Sequence, residues 1–262
     1  MNIFVIIFSA GLGSRLKTNF PKPLSPILNS TTIDININSV IKLLSKTNIR
    51  NFSIYINLHK DADKIYKYIS QNYYWLIRRE KLKFLFEHKP LGHIGTINKL
   101  KYNILRFDKI LLINADTIIP QLDNIVENII KINTNFIILY KMKNKQTPKT
   151  ITHFNTSNYY IPNIFKVESI TKETQNLNYI NLYTGVSLIK IDKIFSQFLL
   201  SELKNQENQL NFIDLLKFLI NNELLAVFTE KFYEITSIKD LLEINVSLIE
   251  NKIFPLIFKT QH

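Results

Sequence analysis

The first 140 residues alternate between short apolar runs and longer segments with helical periodicity, and this alternation constrains the fold more than any other feature. The apolar runs cover residues 2–8, 51–57, 82–87, 109–116 and 135–141, and the intervening segments predict helices over 33–46, 60–71, 93–105 and 121–132. Continuous apolar runs are typical of strands buried on both faces, and strands joined by helices run parallel through right-handed crossovers. The sequence therefore predicts a Rossmann-like α/β fold, with a mostly parallel sheet flanked by helices.

Beyond residue 148 the pattern changes to shorter, β-rich pieces. Strands are predicted over 149–170, 182–190 and 224–228, and helices over 191–203, 210–222 and 237–250. No stretch rich in glycine, serine or proline separates the two halves. We therefore expect one domain over residues 1–262, made of a first half over 1–145, a smaller β-rich elaboration over 146–245 and a tail over 246–262.

The composition excludes some sites and leaves the class of partner open. The chain has no cysteine, and its five scattered histidines show no metal-ligand spacing, which argues against a zinc site. The net charge of +12 favours phosphate-rich partners, although much of the lysine follows a general bias toward Lys, Ile and Asn. The first apolar run is shorter than a secretory signal, and no run approaches the roughly 18–20 residues of a membrane span. We therefore expect a cytoplasmic protein.

The chain contains only five glycines, and two of them, Gly11 and Gly13, lie directly after the first predicted strand. A glycine-rich turn at the carboxyl end of a parallel strand exposes backbone N–H groups that can bind phosphate. The pattern is not a dinucleotide fingerprint, because Leu16 replaces the third glycine, and it lacks the Gly-Lys-Ser/Thr of a P-loop. Arg15 and Lys22 offer a planar fork and a mobile charge for phosphate oxygens, unless both are solvated loop charges.

Four segments follow one another in an order and spacing that carry a family resemblance. They are AGLGSRLKTNFPKPL at 10–24, PLGHIGTI at 90–97, LLINADT at 111–117 and FYEITSIKDLLEIN at 232–245. The first is similar to the G-x-G-[ST]-R loop and Pro-Lys pair of the sugar-1-phosphate nucleotidyltransferases. The others are similar to that family's P-L-G-T-A-G-A-I, L-V-x-N-G-D and W-x-D-I-G-T-P-E-D-L elements. The resemblance covers residues 1–245 and is weakest in the middle.

The resemblance implies that the first half binds a nucleoside triphosphate and the second half a sugar 1-phosphate. Arg15 is expected to bind the β- and γ-phosphates, and Lys22 the α-phosphate. Asp116 is expected to hold Mg²⁺ with Glu234, although a cap of the next turn is the alternative for Asp116 and the role of Glu234 rests on resemblance alone. The expected nucleotide contacts are Ala10, Gly11, Leu12, Gly13, Ser14, Pro90, Leu91, Gly92, Gly95 and Asn114.

The expected sugar-phosphate contacts are Thr184, Gly185 and Lys172. A β-bulge is the alternative explanation for Gly185. Lys172 is the weakest of the three, because its segment reads Thr-Lys-Glu-Thr where the family has a Glu-Lys pair.

The implied reaction needs no nucleophilic side chain. A phosphate monoester has its second pKa near about 6, so a sugar 1-phosphate is already an anionic nucleophile at neutral pH. The protein's task is then to hold two polyanions and neutralise their charge with cations and Mg²⁺. We expect an Mg²⁺-dependent enzyme that makes a nucleotide sugar for cell-surface glycan, in the branch that uses GTP with mannose or heptose 1-phosphate. Homo-oligomer formation stays open.

Several positions depart from the family pattern, and two other functions remain alternatives. Glu234 replaces an aspartate, Thr236 and Ala115 replace glycines, His93 replaces a threonine, and Tyr183 replaces an asparagine. The alternatives are a cytidylyltransferase acting on phosphocholine or a similar phosphate, and a catalytically silent relative that binds nucleotide or sugar phosphate.

Two further segments have residue types that could serve binding. His93 is expected to be exposed on the helix that follows the P-L-G element. Residues 71–81 mix aromatic and basic side chains as a nucleic-acid surface does. We favour an amphipathic helix end with Tyr74 and Trp75 packed inward, and expect no nucleic-acid partner.

Overall fold

The computed structural model describes residues 1–143, 152–172, 177–201 and 210–250. Its strands are β1 (Ile3–Phe8), β2 (Pro26–Ile27), β3 (Ser30–Thr31), β4 (Phe52–Leu58), β5 (Leu82–Phe86), β6 (Lys109–Asn114), β7 (Thr117–Ile118), β8 (Asn135–Lys143), β9 (His153–Asn158), β10 (Phe165–Thr171), β11 (Tyr179–Lys190), β12 (Leu224–Thr229) and β13 (Tyr233–Glu234). Its helices are α1 (Thr32–Lys46), α2 (Ala62–Asn72), α3 (Tyr74–Arg78), α4 (Gly92–Ile104), α5 (Leu122–Ile129), α6 (Lys193–Ser201), α7 (Phe212–Asn221) and α8 (Ile238–Glu250).

Within these ranges a nine-stranded sheet runs in the order β5-β4-β1-β6-β11-β8-β12-β10-β9. The strands β5, β4, β1 and β6 pair in parallel, as do β8 and β12, whereas β11 and β10 run in the opposite direction. The predicted α/β fold with a mostly parallel central sheet is therefore confirmed.

The central strand β1 shows why apolar runs were needed on both faces of the sheet. Ile3, Val5 and Ile7 point into an apolar cluster shared with α1, α2 and α5. Phe4 and Ile6 point into a second cluster shared with α4, α6 and α7. Because successive side chains of a strand alternate between faces, a strand covered by helices on both sides must be apolar throughout.

A third, smaller apolar cluster fixes the C-terminal part of the chain beside the glycine-rich loop. Leu16 and Ile27 belong to this cluster together with Ile235, which follows β13. The cluster also includes the α8 residues Leu241, Ile244 and Leu248. This packing brings β13 next to β7, at the edge of the sheet where β6 ends.

The segment over 71–81 corrects one prediction. It forms the end of α2 and the short helix α3, but Tyr73 and Leu76 are its buried residues, and Tyr74 is 57% exposed. Trp75 is half-buried against the core, with the Arg79 guanidinium 5.9 Å from its ring centroid. The prediction that Tyr74 packs inward is wrong, because Tyr73 and Leu76 continue the buried face of α2 at helical spacing and Tyr74 lies off that face.

Some predicted elements fall partly outside the described residues. This applies to residues 149–151 of the predicted β-rich stretch and to the end of the predicted helix over 191–203. Residues 246–250 of the predicted tail belong to α8, and the rest of the tail also lies outside. In the described part of the chain, every helix is too short or too polar to cross a bilayer.

Candidate active site

A cleft of about 340 Å³ opens at the carboxyl ends of β1 and β6. One wall is the glycine-rich loop from Ser9 to Leu16, and the other is formed by Ala115 and Asp116 together with Thr236. The backbone N–H of Ala115 donates to the carbonyl of Phe8 at 3.0 Å, which joins the two walls at their base. Ligands of open α/β sheets bind at this edge, so the cleft is the natural candidate site.

An ion pair between Lys22 and Asp116 closes the floor of the cleft. Lys22 begins a 3₁₀ turn after Pro21, and the Ser25 hydroxyl donates to the Lys22 carbonyl at 2.7 Å. The Lys22 Nζ donates to Asp116 Oδ2, and both side chains are largely shielded from solvent. A cation is therefore fixed opposite the loop amides, where it can bind an anionic ligand.

A second carboxylate, that of Glu234, lies beside this pair on β13, where Glu234 is exposed and is not among the residues that line the cleft. Glu234 is the register partner of Thr117, and the N–H of Ile235 donates to the Asp116 carbonyl at 3.1 Å. Desolvation by the surrounding protein raises the pKa of Glu234, and the neighbouring Asp116 raises it further. The charges of Lys22 and Arg15 act in the opposite direction. The structure thus brings Arg15, Lys22, Asp116 and Glu234 together in one charged cluster.

The two carboxylates fit the chemistry of a magnesium site. Mg²⁺ prefers oxygen ligands and is commonly held by one or two carboxylates, with water and substrate phosphates completing its shell. No group of three or more His, Asp or Glu side chains in metal-binding arrangement occurs among the described residues, so an all-protein metal cage is not formed there. Asp240 is engaged elsewhere, because it caps α8 by accepting from the N–H groups of Thr236 and Ser237 at 3.0 and 2.8 Å.

The glycine-rich loop holds two glycines for different reasons. Gly13 has φ +59°, a left-handed conformation that favours glycine, and the N–H of Leu16 donates to its carbonyl. Gly11 has no such φ, and no described atom lies within 4 Å of the position a Cβ would take. The protein fold therefore gives no reason for a glycine at position 11. A side chain there would project into the open space beside the loop, where it could interfere only with a bound ligand.

Ala10, Leu12 and Ser14 share this loop, and Leu12 and Ser14 line the cleft with Gly11 and Gly13. The Nζ of Lys60 donates to the carbonyl of Leu12 at 3.2 Å and adds a further cation beside the loop. Lys60 follows β4 without any motif around it, so sequence reasoning had no signal for this contact.

His93 corrects a second prediction, because it is not exposed. Its Nε2 lies 2.8 Å from Asn114 Oδ1, and its ring packs against Phe8 and Phe212 at centroid distances of 4.3 and 4.8 Å. Burial lowers the pKa of His93, although Asn114 and Asp116 oppose the shift. The first turn of α4 is therefore fixed against the end of β6, the strand that leads to Asp116, and the rings of Phe8 and Phe212 pack on the same side chain.

The β-bulge that is the alternative explanation for Gly185 is present, and its sugar-phosphate contact stays a prediction. The register of β11 shifts between Tyr183 and Ser187, where Gly185 has φ +83°. A Cβ at this position would also lie 2.7 Å from Asn114 Nδ2, so the bulge lets β11 pass close to the end of β6. Gly185 therefore supports the same strand end that leads to Asp116.

The other predicted sugar-phosphate residues are not brought to the cleft wall. The buried hydroxyl of Thr184 donates to the Ile138 carbonyl at 2.9 Å. Lys172 is exposed after the end of β10 and is not among the residues that line the cleft. Glu173, the next residue of that segment, lies outside the described residues. The sugar-phosphate contacts of these residues stay predictions.

A buried asparagine that sequence reasoning missed holds the turn before β7. Asn36 lies in α1, and its Nδ2 donates to the carbonyls of Ala115 and Thr117 at 3.3 and 3.2 Å. These two carbonyls flank Asp116, so Asn36 fixes the backbone of the turn that carries that carboxylate. The available signal was a polar residue on the helix face that also carries Ile33 and Ile37, both buried.

The predicted contacts Pro90, Leu91, Gly92 and Gly95 lie at the start of α4, where His93 contacts Asn114 at the end of β6. Neither these four residues nor Asn114 is among the residues that line the cleft. The N–H of Leu91 donates to Glu87 Oε2 at 3.0 Å. This turn and the glycine-rich loop lie on the same edge of the sheet, following β5 and β1.

Comparison with known proteins finds a curated relative over part of the chain and solved structures of the same fold. No protein-family model matches the chain. A stretch of 116 residues, 43% of the chain, is 34% identical to the bifunctional protein GlmU of Thermodesulfovibrio yellowstonii and covers 22% of that longer protein.

Solved structures match over nearly the whole chain. A UDP-glucose pyrophosphorylase complexed with UDP-glucose superimposes with a TM-score of 0.70 and 13% identity, over 96% of this chain and all of that one. A UTP-bound UGPase from Acinetobacter baumannii superimposes with a TM-score of 0.72 and 12% identity, over 94% of this chain and 93% of that one. HddC from Yersinia pseudotuberculosis superimposes with a TM-score of 0.62 and 19% identity, over 95% of this chain and all of that one. The chain therefore shares its fold with the UDP-glucose pyrophosphorylase and HddC structures, and over 116 residues it is similar in sequence to GlmU.

Proposed function

We propose that this chain joins a nucleoside triphosphate to a sugar 1-phosphate and releases a nucleotide sugar and pyrophosphate. The observation that carries the proposal is the charged cluster of Arg15, Lys22, Asp116 and Glu234 beside the open glycine-rich loop. Cations next to free loop amides suit a polyphosphate, and adjacent carboxylates suit a divalent cation.

In this reaction an oxygen of the sugar phosphate attacks the α-phosphorus, and the bond from the α-phosphorus to the bridging oxygen of pyrophosphate breaks. The attacking oxygen is already anionic near neutral pH, so no side chain has to remove a proton. Arg15 would bind the β- and γ-phosphates, and Lys22 would exchange its bond to Asp116 for one to the α-phosphate. Mg²⁺ held by Asp116 and Glu234 would supply charge neutralisation at the phosphates.

The finer specificity is part of the proposal. The similarity of PLGHIGTI to the family element favours GTP with mannose or heptose 1-phosphate, in a cytoplasmic route to cell-surface polysaccharide. The structural neighbours are a UDP-glucose complex, a UTP complex and HddC, which also forms a complex with GMP-PN. All are 20% identical or less, so the choice of base has to be measured.

The test is pyrophosphate release with Mg²⁺ from ATP, CTP, GTP, UTP and dTTP, each with a panel of sugar 1-phosphates and phosphocholine. We expect release with one pair, GTP with mannose or heptose 1-phosphate, and its loss in Asp116→Ala. Release from CTP with phosphocholine would support the cytidylyltransferase alternative. Nucleotide binding without any release would support a silent relative, and the absence of both binding and release would overturn the proposal.

A further inference from the structure

A buried hydrogen-bond network joins the two loops that are expected to contact the nucleotide. Its centre is Asn57, which lies in β4 between the strands that lead to these loops and is only 3% exposed. Asn57 Oδ1 accepts from the N–H groups of Ser9 and Ala10 at 2.6 and 3.3 Å. One side-chain oxygen therefore fixes the backbone at the point where the glycine-rich loop leaves β1.

The other end of the same amide holds the second loop. Asn57 Nδ2 donates to Glu87 Oε1 at 2.9 Å and to the Thr96 hydroxyl at 3.0 Å. Glu87 Oε2 accepts from the N–H of Leu91 at 3.0 Å, across the turn that begins α4. The Thr96 hydroxyl, in the second turn of α4, lies 2.7 Å from Glu87 Oε1 and can donate to it.

The carboxylate of Glu87 makes this network unusual. Glu87 is 7% exposed, and none of the ion pairs found among the described residues includes it. A buried carboxylate that is bound only by neutral donors is costly to maintain, but its hydrogen bonds are stronger and shorter than those of an amide. Such bonds keep the two loops in a fixed relative position before any ligand arrives.

We propose that Asn57 and Glu87 are positioning residues that hold the glycine-rich loop and the residue 88–92 turn as one preorganised nucleotide-binding unit. This inference rests on the proposed function for its ligand, but the coupling of the loops is a property of the protein alone. Neither residue lines the cleft. Their effect on nucleotide affinity acts through the backbone N–H groups that they fix, which reduces the ordering cost of binding.

The polarity of the network provides a rescue test. Asn57→Asp keeps the acceptor for Ser9 and Ala10 but places a second carboxylate against Glu87. Glu87→Gln alone puts an NH₂ group against either the Asn57 NH₂ or the Leu91 N–H. In the double variant, the introduced aspartate can accept from the introduced glutamine NH₂, and the glutamine oxygen can accept from Leu91. Every donor and acceptor of the network then has a partner again.

Hydrogen exchange measures the coupling in the full chain without ligand. In Glu87→Gln we expect faster exchange in both loops, residues 9–14 as well as 88–92, and recovery of both in the double variant. Asn51→Asp, an exposed change just before the same strand, should alter neither. Exchange that rises only around residue 88 in Glu87→Gln would show independent loops and overturn the proposal.

Affinity for the nucleoside triphosphate that the wild type binds, measured by calorimetry well below the unfolding midpoint, tests the positioning role. We expect each single variant to weaken binding by about tenfold, as loss of one charge-assisted hydrogen bond would, and the double variant to recover. A folded Asn57→Asp with wild-type affinity would overturn the positioning role. If hydrogen exchange shows the two loops to be coupled but the wild type binds no nucleotide, the result would instead count against the proposed function.

Discussion

The side chains of His93 and Asn114 meet with 2.8 Å between Nε2 and Oδ1, and this contact joins the start of α4 to the end of β6. Asn114 stands two residues before Asp116 and is also the side chain against which Gly185 packs. For the bond to form with the amide oxygen, His93 must carry its proton on Nε2. Burial lowers the pKa of His93, which favours this neutral ring.

Replacing His93 by phenylalanine should keep the ring contacts with Phe8 and Phe212 and leave the Asn114 amide unpaired. We expect the free energy of unfolding to fall by about 1 kcal/mol, the usual net value of a hydrogen bond. His93→Ala should cost more, because it also removes the ring. Urea unfolding measures both, with His88→Ala as an exposed control on the preceding turn. A His93→Phe protein as stable as wild type would show that Asn114 needs no partner there.

Gly11→Ala separates ligand binding from folding. A methyl group at this position meets no described atom within 4 Å, and φ is not left-handed, so the unfolding midpoint should stay within the range of surface substitutions. Affinity for the nucleoside triphosphate should fall, because the methyl group would occupy the open space beside the loop where we propose that the triphosphate binds. Calorimetric titration with wild type as reference decides the point. Unchanged affinity would mean that the triphosphate does not approach the backbone at Gly11.

Gly185→Ala is the contrasting case. Its φ of +83° and the 2.7 Å approach to Asn114 make any side chain strained. We expect a loss of stability of about 1–3 kcal/mol, visible in thermal unfolding without ligand. A stable variant would show that β11 can move away from β6.

Lys22→Met tests the cation that the structure pairs with Asp116. Removing it leaves Asp116 and Glu234 adjacent without their nearest counter-charge and removes the predicted contact with the α-phosphate. We expect the turnover of the pair found by pyrophosphate release to fall by about 10²–10³-fold, the usual effect of deleting one charge-stabilising donor. Lys67→Met, an exposed change on α2, should leave turnover unchanged. Equal turnover of Lys22→Met and wild type would show that Lys22 has no role in the reaction.

The sequence predicted those parts of the site that follow from strand ends. The glycine-rich loop and the Asn-Ala-Asp segment each follow an apolar run, and parallel strands bring their carboxyl ends to one edge. Glu234 entered only through a family resemblance, since no local pattern indicates that a two-residue strand will pair beside Asp116. Periodicity over 71–81 indicated an amphipathic helix, but its inward face was assigned to Tyr74, whereas the buried residue of that face is Tyr73.

The contacts that sequence reasoning missed are those between segments far apart in the chain. His93 is buried by Phe212, and Asn36 and Asn57 hold backbone groups of loops that follow other strands. Asparagine is common throughout this chain, so nothing local distinguishes a buried, fully bonded asparagine from a solvated one. Only the packing of α1 and β4 against β1 and β6 gives these residues their roles.

Away from the site, Lys109 is a buried cation at the start of β6. It is 5% exposed, its Nζ donates to the Ile132 carbonyl at 2.5 Å, and its register partner on β11 is Lys190. Lys190 is itself paired with Asp192 at 3.0 Å. Burial, and then the charge of Lys190, lower the pKa of Lys109 from 10.5 to about 8. The folded protein therefore holds the Lys109 proton less tightly than the unfolded chain.

This pKa determines the sign of a pH effect. Below pH 8 both states are protonated and the full cost of the buried charge is present. Between about pH 8 and 10.5 the unfolded chain binds more protons, so the contribution of Lys109 makes stability rise with pH. One pKa unit corresponds to about 1.4 kcal/mol, which gives a rise of roughly 3 kcal/mol for this shift.

Lys109→Met should abolish that rise, because the apolar side chain carries no proton in either state. At pH 7 the variant should be more stable than wild type, by less than the full 3 kcal/mol because the bond to Ile132 is also lost. Urea unfolding of both proteins from pH 7 to pH 10 measures the difference, with Lys67→Met as the exposed control. A difference between wild type and Lys109→Met that stays constant over this range would show that Lys109 keeps an ordinary pKa in the folded protein.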